Sequence, residues 1–85
     1  MYELEIHRQA RNKLSRMSRF DRERIFVKLD YLSENPDNPS LDVKKLSNQP
    51  GYRLRVGTWR VIFQRFDMLR ILSIEKIAAR GDVYK

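Results

Sequence analysis

The stretch "GYRLRVGTWRVIF", Gly51 to Phe63, decides how the second half of the chain folds. From Tyr52 to Val56 apolar and basic residues alternate, which is the period of a strand with one buried face. Gly57-Thr58 then interrupts the alternation. A two-residue hairpin loop with glycine in first place favours a type II′ turn. That turn dictates the pairing. Val56 meets Trp59, Arg55 meets Arg60, Leu54 meets Val61, Arg53 meets Ile62 and Tyr52 meets Phe63. One face of the hairpin is then Tyr52, Leu54, Val56, Trp59, Val61 and Phe63. The other begins with Arg53, Arg55 and Arg60. A slip of one residue would mix the two sets, so the segregation itself supports the register. Arg55 directly opposite Arg60 is destabilising for the free protein. The arrangement implies an anionic partner.

Working outward toward the C-terminus, Asp67-Met68 offers another turn. A two-residue loop there pairs Leu72 with Phe63, Ile74 with Val61 and Glu75 with Arg60. Glu75 then reads as an ion-pair partner of Arg60 in preference to a general base. Toward the N-terminus, "YELEI" alternates and predicts a first strand, Tyr2 to Ile6. The period then changes to that of a helix, with Ala10, Leu14 and Met17 on one side. A second helix begins near Ser18, where "SRFD" resembles a capping box with Asp21 at its fourth position. Its predicted apolar face is Ile25, Phe26, Leu29 and Leu32, and Pro36 and Pro39 end it. The expected fold is α+β, in the order β-α-α-β-β-β. A helical hairpin packs on one face of a small, mostly antiparallel sheet, with the first strand at the side of that sheet.

At 85 residues the chain is expected to form a single domain, residues 1–85. There are no cysteines, which excludes disulfides and thiolate metal sites. No apolar run approaches the roughly 18 residues of a membrane span, and the start "MYELEIHRQ" has no apolar signal core. The expectation is a cytoplasmic protein with no membrane partner. The net charge of +7 is unevenly placed. Residues 1–43 are balanced. Residues 44–85 hold ten bases against Asp67, Glu75 and Asp82, which accounts for the whole excess. Such asymmetry implies a polyanion bound by the second half.

Lys44 and Lys45 before the hairpin and Arg80 after it extend the basic face. Arginine donates paired, planar hydrogen bonds to phosphate and stays charged at any relevant pH. His7, at the junction of the first strand and first helix, reads as structural. No His/Asp/Glu spacing suits a metal, and the isolated glycines Gly51, Gly57 and Gly81 make no phosphate loop. Neither a metal nor a cofactor is expected. RNA leaves one route open, because its 2′-hydroxyl can attack the neighbouring phosphate. The protein need only align the backbone, stabilise the charged phosphorane and manage two proton transfers. Basic side chains suit the second task, a lysine crowded by guanidinium groups can accept a proton, and a tyrosine can stack on a base. A basic face that binds without cutting fits the same residues.

Four segments, in order and spread along nearly the whole chain, resemble the RelE/ParE superfamily of prokaryotic toxin–antitoxin systems, nearer its RelE branch. They are "RQARNKLSRM", "LSENP", "VKKLSNQPGYRLRVGTWRVIF" and the closing "IAARGDVYK". The resemblance implies a metal-independent endoribonuclease that cuts mRNA in the ribosomal A site and is neutralised by an antitoxin peptide. It implies a monomeric free toxin and a hetero-oligomeric complex with the antitoxin. It also assigns roles. Lys44 and Lys45 match positions linked to proton acceptance and phosphate binding, and Arg60 matches the arginine that stabilises the transition state. Arg80 matches a phosphate ligand, and Tyr84 the terminal tyrosine that stacks on the substrate base. Arg53 and Arg55 would bind the RNA backbone. Ala78 and Ala79 stand where Gly-His is common, so a mechanism that depends on that histidine is not available. Asp82 adds a negative charge beside the expected site. The competing implication is a ParE-like inhibitor of DNA gyrase, with the same fold and no nuclease activity.

Overall fold

A computed structural model describes residues 1–79. The order is β1 (Glu3–Ile6), α1 (Arg8–Arg16), α2 (Arg19–Glu34), β2 (Val43–Lys45), β3 (Tyr52–Val56), β4 (Trp59–Phe66) and β5 (Ile71–Ala79). The helices form a hairpin over one face of a sheet ordered β1-β5-β4-β3-β2. β1 runs parallel to β5 and the other pairs are antiparallel. The α+β class and the layer order are those the sequence predicts. β2 is the addition: Lys44 and Lys45 lie in a short edge strand paired with β3.

Each helix buries the residues its period selects. Ala10 and Leu14 of α1, with Met17 just after it, meet Ile25, Leu29 and Leu32 of α2 in the core. Phe26, expected among them, is 40% exposed. It lies only one residue from Ile25, or about 100° around a helix, and so points away from the core stripe. The Ser18 hydroxyl caps α2 by accepting from the Asp21 backbone N–H at 3.1 Å, an interaction worth about 1 kcal/mol. Arg22 closes the hairpin by donating from Nε to the Leu14 carbonyl and from Nη2 to that of Met17. These are carbonyls that the end of α1 leaves without intrahelical partners.

The β3–β4 register is the predicted one at all five pairs, Tyr52↔Phe63 through Val56↔Trp59. Gly57 has φ 60°, and Thr58 is not among the described residues with positive φ. Type II′ needs that pattern; type I′ would need both residues positive. Leu54, Val56, Val61 and Phe63 are buried under the helices, with Tyr52 stacked on Phe63 and Trp59 partly buried beside them.

The β4–β5 register departs from expectation twice. The turn takes four residues, Asp67 to Arg70, with Arg70 in the left-handed region at φ 57°, so Phe63 meets Ile74 rather than Leu72. A bulge then interrupts the ladder between Ile62 and Phe63, and beyond it Ile62 meets Lys76, Val61 meets Ile77 and Arg60 meets Ala78. The cause is readable in "IEKI". Ile74 and Ile77 both belong to the core, yet they are three apart and strict alternation would put them on opposite faces. An extra residue on one strand restores both to the same side. Glu75 sits at that irregularity and accepts from Gln64 Nε2 at 3.1 Å. The expected Glu75–Arg60 pairing is therefore replaced by Ala78 opposite Arg60.

β1 pairs with β5 only as far as Ile74, which leaves the far part of that edge unpaired. Gln9 of α1 covers it. Its amide accepts from the Ile77 N–H at 2.9 Å and donates to the Ile77 carbonyl at 3.2 Å. One side chain thus stands in for a strand where an open edge would invite intermolecular pairing.

Candidate nucleic-acid interface

Partners across a ladder share a face, so the register locates every candidate side chain. Lys44 pairs with Arg53, Arg53 with Ile62 and Ile62 with Lys76. Beside that row runs a second, in which Arg55 pairs with Arg60 and Arg60 with Ala78. Five cationic side chains thus gather on the face turned away from the helices: Lys44, Arg53, Arg55, Arg60 and Lys76. Lys45 pairs with Tyr52 and belongs to the helical side. Arg80 and Tyr84 lie outside the described residues.

Lys76 is the member that sequence reasoning missed. A continuous ladder would have turned it toward the core, and the bulge places it among the arginines. The signal was the three-residue spacing from Ile74 to Ile77.

The face is not a plain solvated array. Ile62 and Ala78 are buried, with Leu46 packed against them. The chain returns to the sheet there because Gly51, at φ 109°, accepts from the Leu46 N–H. A Cβ at Gly51 would come within 3.0 Å of the Phe63 carbonyl oxygen. Arg53 and Arg60 are each only 7% exposed. Arg53 donates from Nη2 to Asp42 Oδ1 at 3.1 Å, while Arg55 Nε lies 3.8 Å from Asp42 Oδ2. Arg60 donates from Nη1 to the Trp59 carbonyl at 3.4 Å. Burial lowers the dielectric around the guanidinium groups, which strengthens their attraction for an anion that reaches them.

His7 takes the structural role expected of it. Its backbone N–H donates to the Ile74 carbonyl, and its Nε2 lies 2.7 Å from Ser73 Oγ. Among the described residues no three His, Asp or Glu side chains gather as a metal would require, and no helix is long and apolar enough to cross a membrane.

The fold and the face define a small α+β protein with a helical hairpin on one side of its sheet and a compact cationic surface on the other. No protein-family model and no curated protein matches the sequence, but solved structures do. The chain is similar to a chain of the archaeal RelE–RelB complex from Pyrococcus horikoshii OT3, with a TM-score of 0.82 and 28% identity over 96% of this chain and 98% of that one. The isolated E. coli RelE toxin superposes with a TM-score of 0.78 at 19% identity, covering 95% of this chain and 86% of that one. The intact E. coli RelBE toxin–antitoxin complex contains a chain that superposes with a TM-score of 0.77 at 21% identity, covering 96% and 99%. The chain is RelE-like in structure over nearly its whole length.

Proposed function

We propose that this protein is the toxin of a toxin–antitoxin pair and cleaves mRNA in the ribosomal A site. The observation that carries the reading is the convergence of Lys44, Arg53, Arg55, Arg60 and Lys76 on one sheet face of a RelE-like fold. In the proposed reaction the 2′-oxygen attacks the adjacent phosphorus and the bond to the 5′-oxygen breaks. The products are a 2′,3′-cyclic phosphate and a 5′-hydroxyl, the leaving 5′-oxygen taking its proton from water. Arg60, already desolvated, neutralises charge on the phosphorane, as a preorganised donor does where water is excluded. Lys44 is assigned the proton from the 2′-hydroxyl, since Lys45 faces the other side of the sheet. Arg53 and Arg55 hold the backbone. Arg80 as a phosphate ligand and Tyr84 as the base-stacking residue complete the proposal on the strength of the closing motif alone.

The antitoxin is proposed to be an acidic or amphipathic peptide that covers the cationic face and orders as it binds. The relatives that carry RelB in their complexes support that pairing. The burial of Arg53 against Asp42 favours a second reading, a face that binds RNA or antitoxin without cutting.

Adding the protein to translating ribosomes separates the readings. Cleavage within the A-site codon is the expected result. Intact mRNA with blocked DNA supercoiling would instead support a ParE-like gyrase inhibitor, and intact mRNA with active gyrase would support plain binding.

A further inference from the structure

Asp42 lies one residue before β2 and continues its register, opposite Arg55. Its carbonyl accepts from the Arg55 N–H at 2.9 Å, which ties it to the edge of β3. Its carboxylate is therefore held on the cationic face, against Arg53 through one oxygen and toward Arg55 through the other. Arg53 is nearly buried, with its side chain 9% exposed. The Asp42 side chain is about half exposed, at 47%.

A tetrahedral phosphate presents two oxygens much as a carboxylate does, and guanidinium groups bind both in the same forked geometry. We infer that Asp42 occupies, in the free protein, a subsite for one backbone phosphate of a single-stranded nucleic acid. The strand binds there by displacing the carboxylate from Arg53 and Arg55. Until then Asp42 holds the two arginines at the spacing a phosphate needs and offsets their mutual repulsion. It is a positioning residue, and it lowers affinity because the incoming phosphate must compete with it. This deepens the RNA reading above and rests on it for the identity of the ligand.

The test uses a fluorescent single-stranded oligodeoxyuridylate, which has no 2′-hydroxyl, so binding is read without cleavage. Asp42→Asn should bind it about three- to tenfold more tightly than wild type. The slope of log affinity against log salt should stay as in wild type, because the bound strand makes the same phosphate contacts in both proteins. Arg55→Ala in the Asp42→Asn background should lose most of the gain. Unchanged or weaker binding by Asp42→Asn overturns the inference. A readout on the wild-type protein covers the case in which the variant does not fold. On adding the oligonucleotide, the NMR signals of the Asp42 carboxylate carbon and the Arg55 Nε–H should both move, while that of the Arg65 Nε–H stays. Binding that leaves the Asp42 signal in place also overturns it. A wild-type protein that binds with these signatures yet leaves mRNA intact on ribosomes would defeat the nuclease reading and keep the subsite.

Discussion

Two groups of strand arginines in this protein use aspartate in opposite proportions. Arg65 of β4 is held by two carboxylates. Asp37 takes Nη1 at 2.8 Å and Asp67 takes Nε at 3.0 Å, and the guanidinium also lies over the Tyr52 ring. Tyr2 adds a hydroxyl hydrogen bond to Asp67. On the other face, Arg53 and Arg55 share the single carboxylate of Asp42. The first group is electrostatically saturated and joins three stretches of chain: the loop after α2, strand β4 and the β4–β5 turn. The second keeps a surplus of positive charge. An arginine is thus structural or available according to the number of acids that reach it, and this cannot be told from the residue type.

The largest expected effect separates the groups by activity. Arg60→Ala should slow A-site cleavage by roughly two orders of magnitude or more, as removal of one preorganised donor does, and Arg80→Ala should do the same. Arg65→Met should leave cleavage near the wild-type rate at a temperature where both proteins are folded. Normal cutting by Arg60→Ala and Arg80→Ala would sink the site assignment.

A smaller effect is expected from Gln9→Ala. Losing both amide contacts to Ile77 should cost about 1–3 kcal/mol in chemical denaturation. It should also speed hydrogen exchange at the end of β5, where the bulge brings Lys76 to the cationic face. A variant as stable as wild type would show that the edge does not need its clamp.

The saturated group also predicts acid sensitivity. The hydrogen bond from Arg65 holds the Asp37 carboxyl below the ordinary value of an aspartate. Arg65, and then the Tyr2 hydroxyl, do the same for Asp67. The partnership with Asp37 and then Asp67 raises the affinity of Arg65 for its proton in turn. A carboxyl with a lowered folded-state value stabilises the fold fully above the unfolded value, about 3.9 for aspartate. That contribution is lost as the pH falls through the lower folded-state value. The melting temperature should therefore drop below about pH 4, and Arg65→Met should flatten the drop while lowering the melting temperature by a few degrees at neutral pH. Equal acid profiles for the two proteins would show that the clamp contributes nothing to folding. Both aspartates are exposed, so the effect is expected to be the smallest of the three and to shrink with added salt.

Much of this architecture follows from short-range rules that a sequence states openly. Alternation from Tyr52 to Phe63 and a glycine-first turn suffice for the β3–β4 register, because both the pleat and the turn are local geometry. Helical spacing picks out Ala10, Leu14, Ile25, Leu29 and Leu32, and the Ser18 cap acts over three residues. The placement of Arg53, Arg55 and Arg60 on one face was legible for the same reason. Phe26 was misread because a helical face drawn from hydrophobicity alone is wider than the surface the sheet can cover.

What the chain decides only when folded is long-range. Whether Val43–Lys45 forms a strand depends on the free edge of β3, which exists only once the hairpin has formed. The bulge that brings Lys76 beside Glu75 on the cationic face arises because Ile74 and Ile77 must enter one core together. Gln9 meets Ile77 only because β1 stops short of it. Asp42 reaches Arg53 and Arg55, and Asp37 reaches Arg65, across loops whose paths no local pattern encodes. The order of residues states which positions are apolar, which are charged and how they alternate. Folding settles which charges are neutralised, because an ion pair is set by distances in space that chain separation does not record.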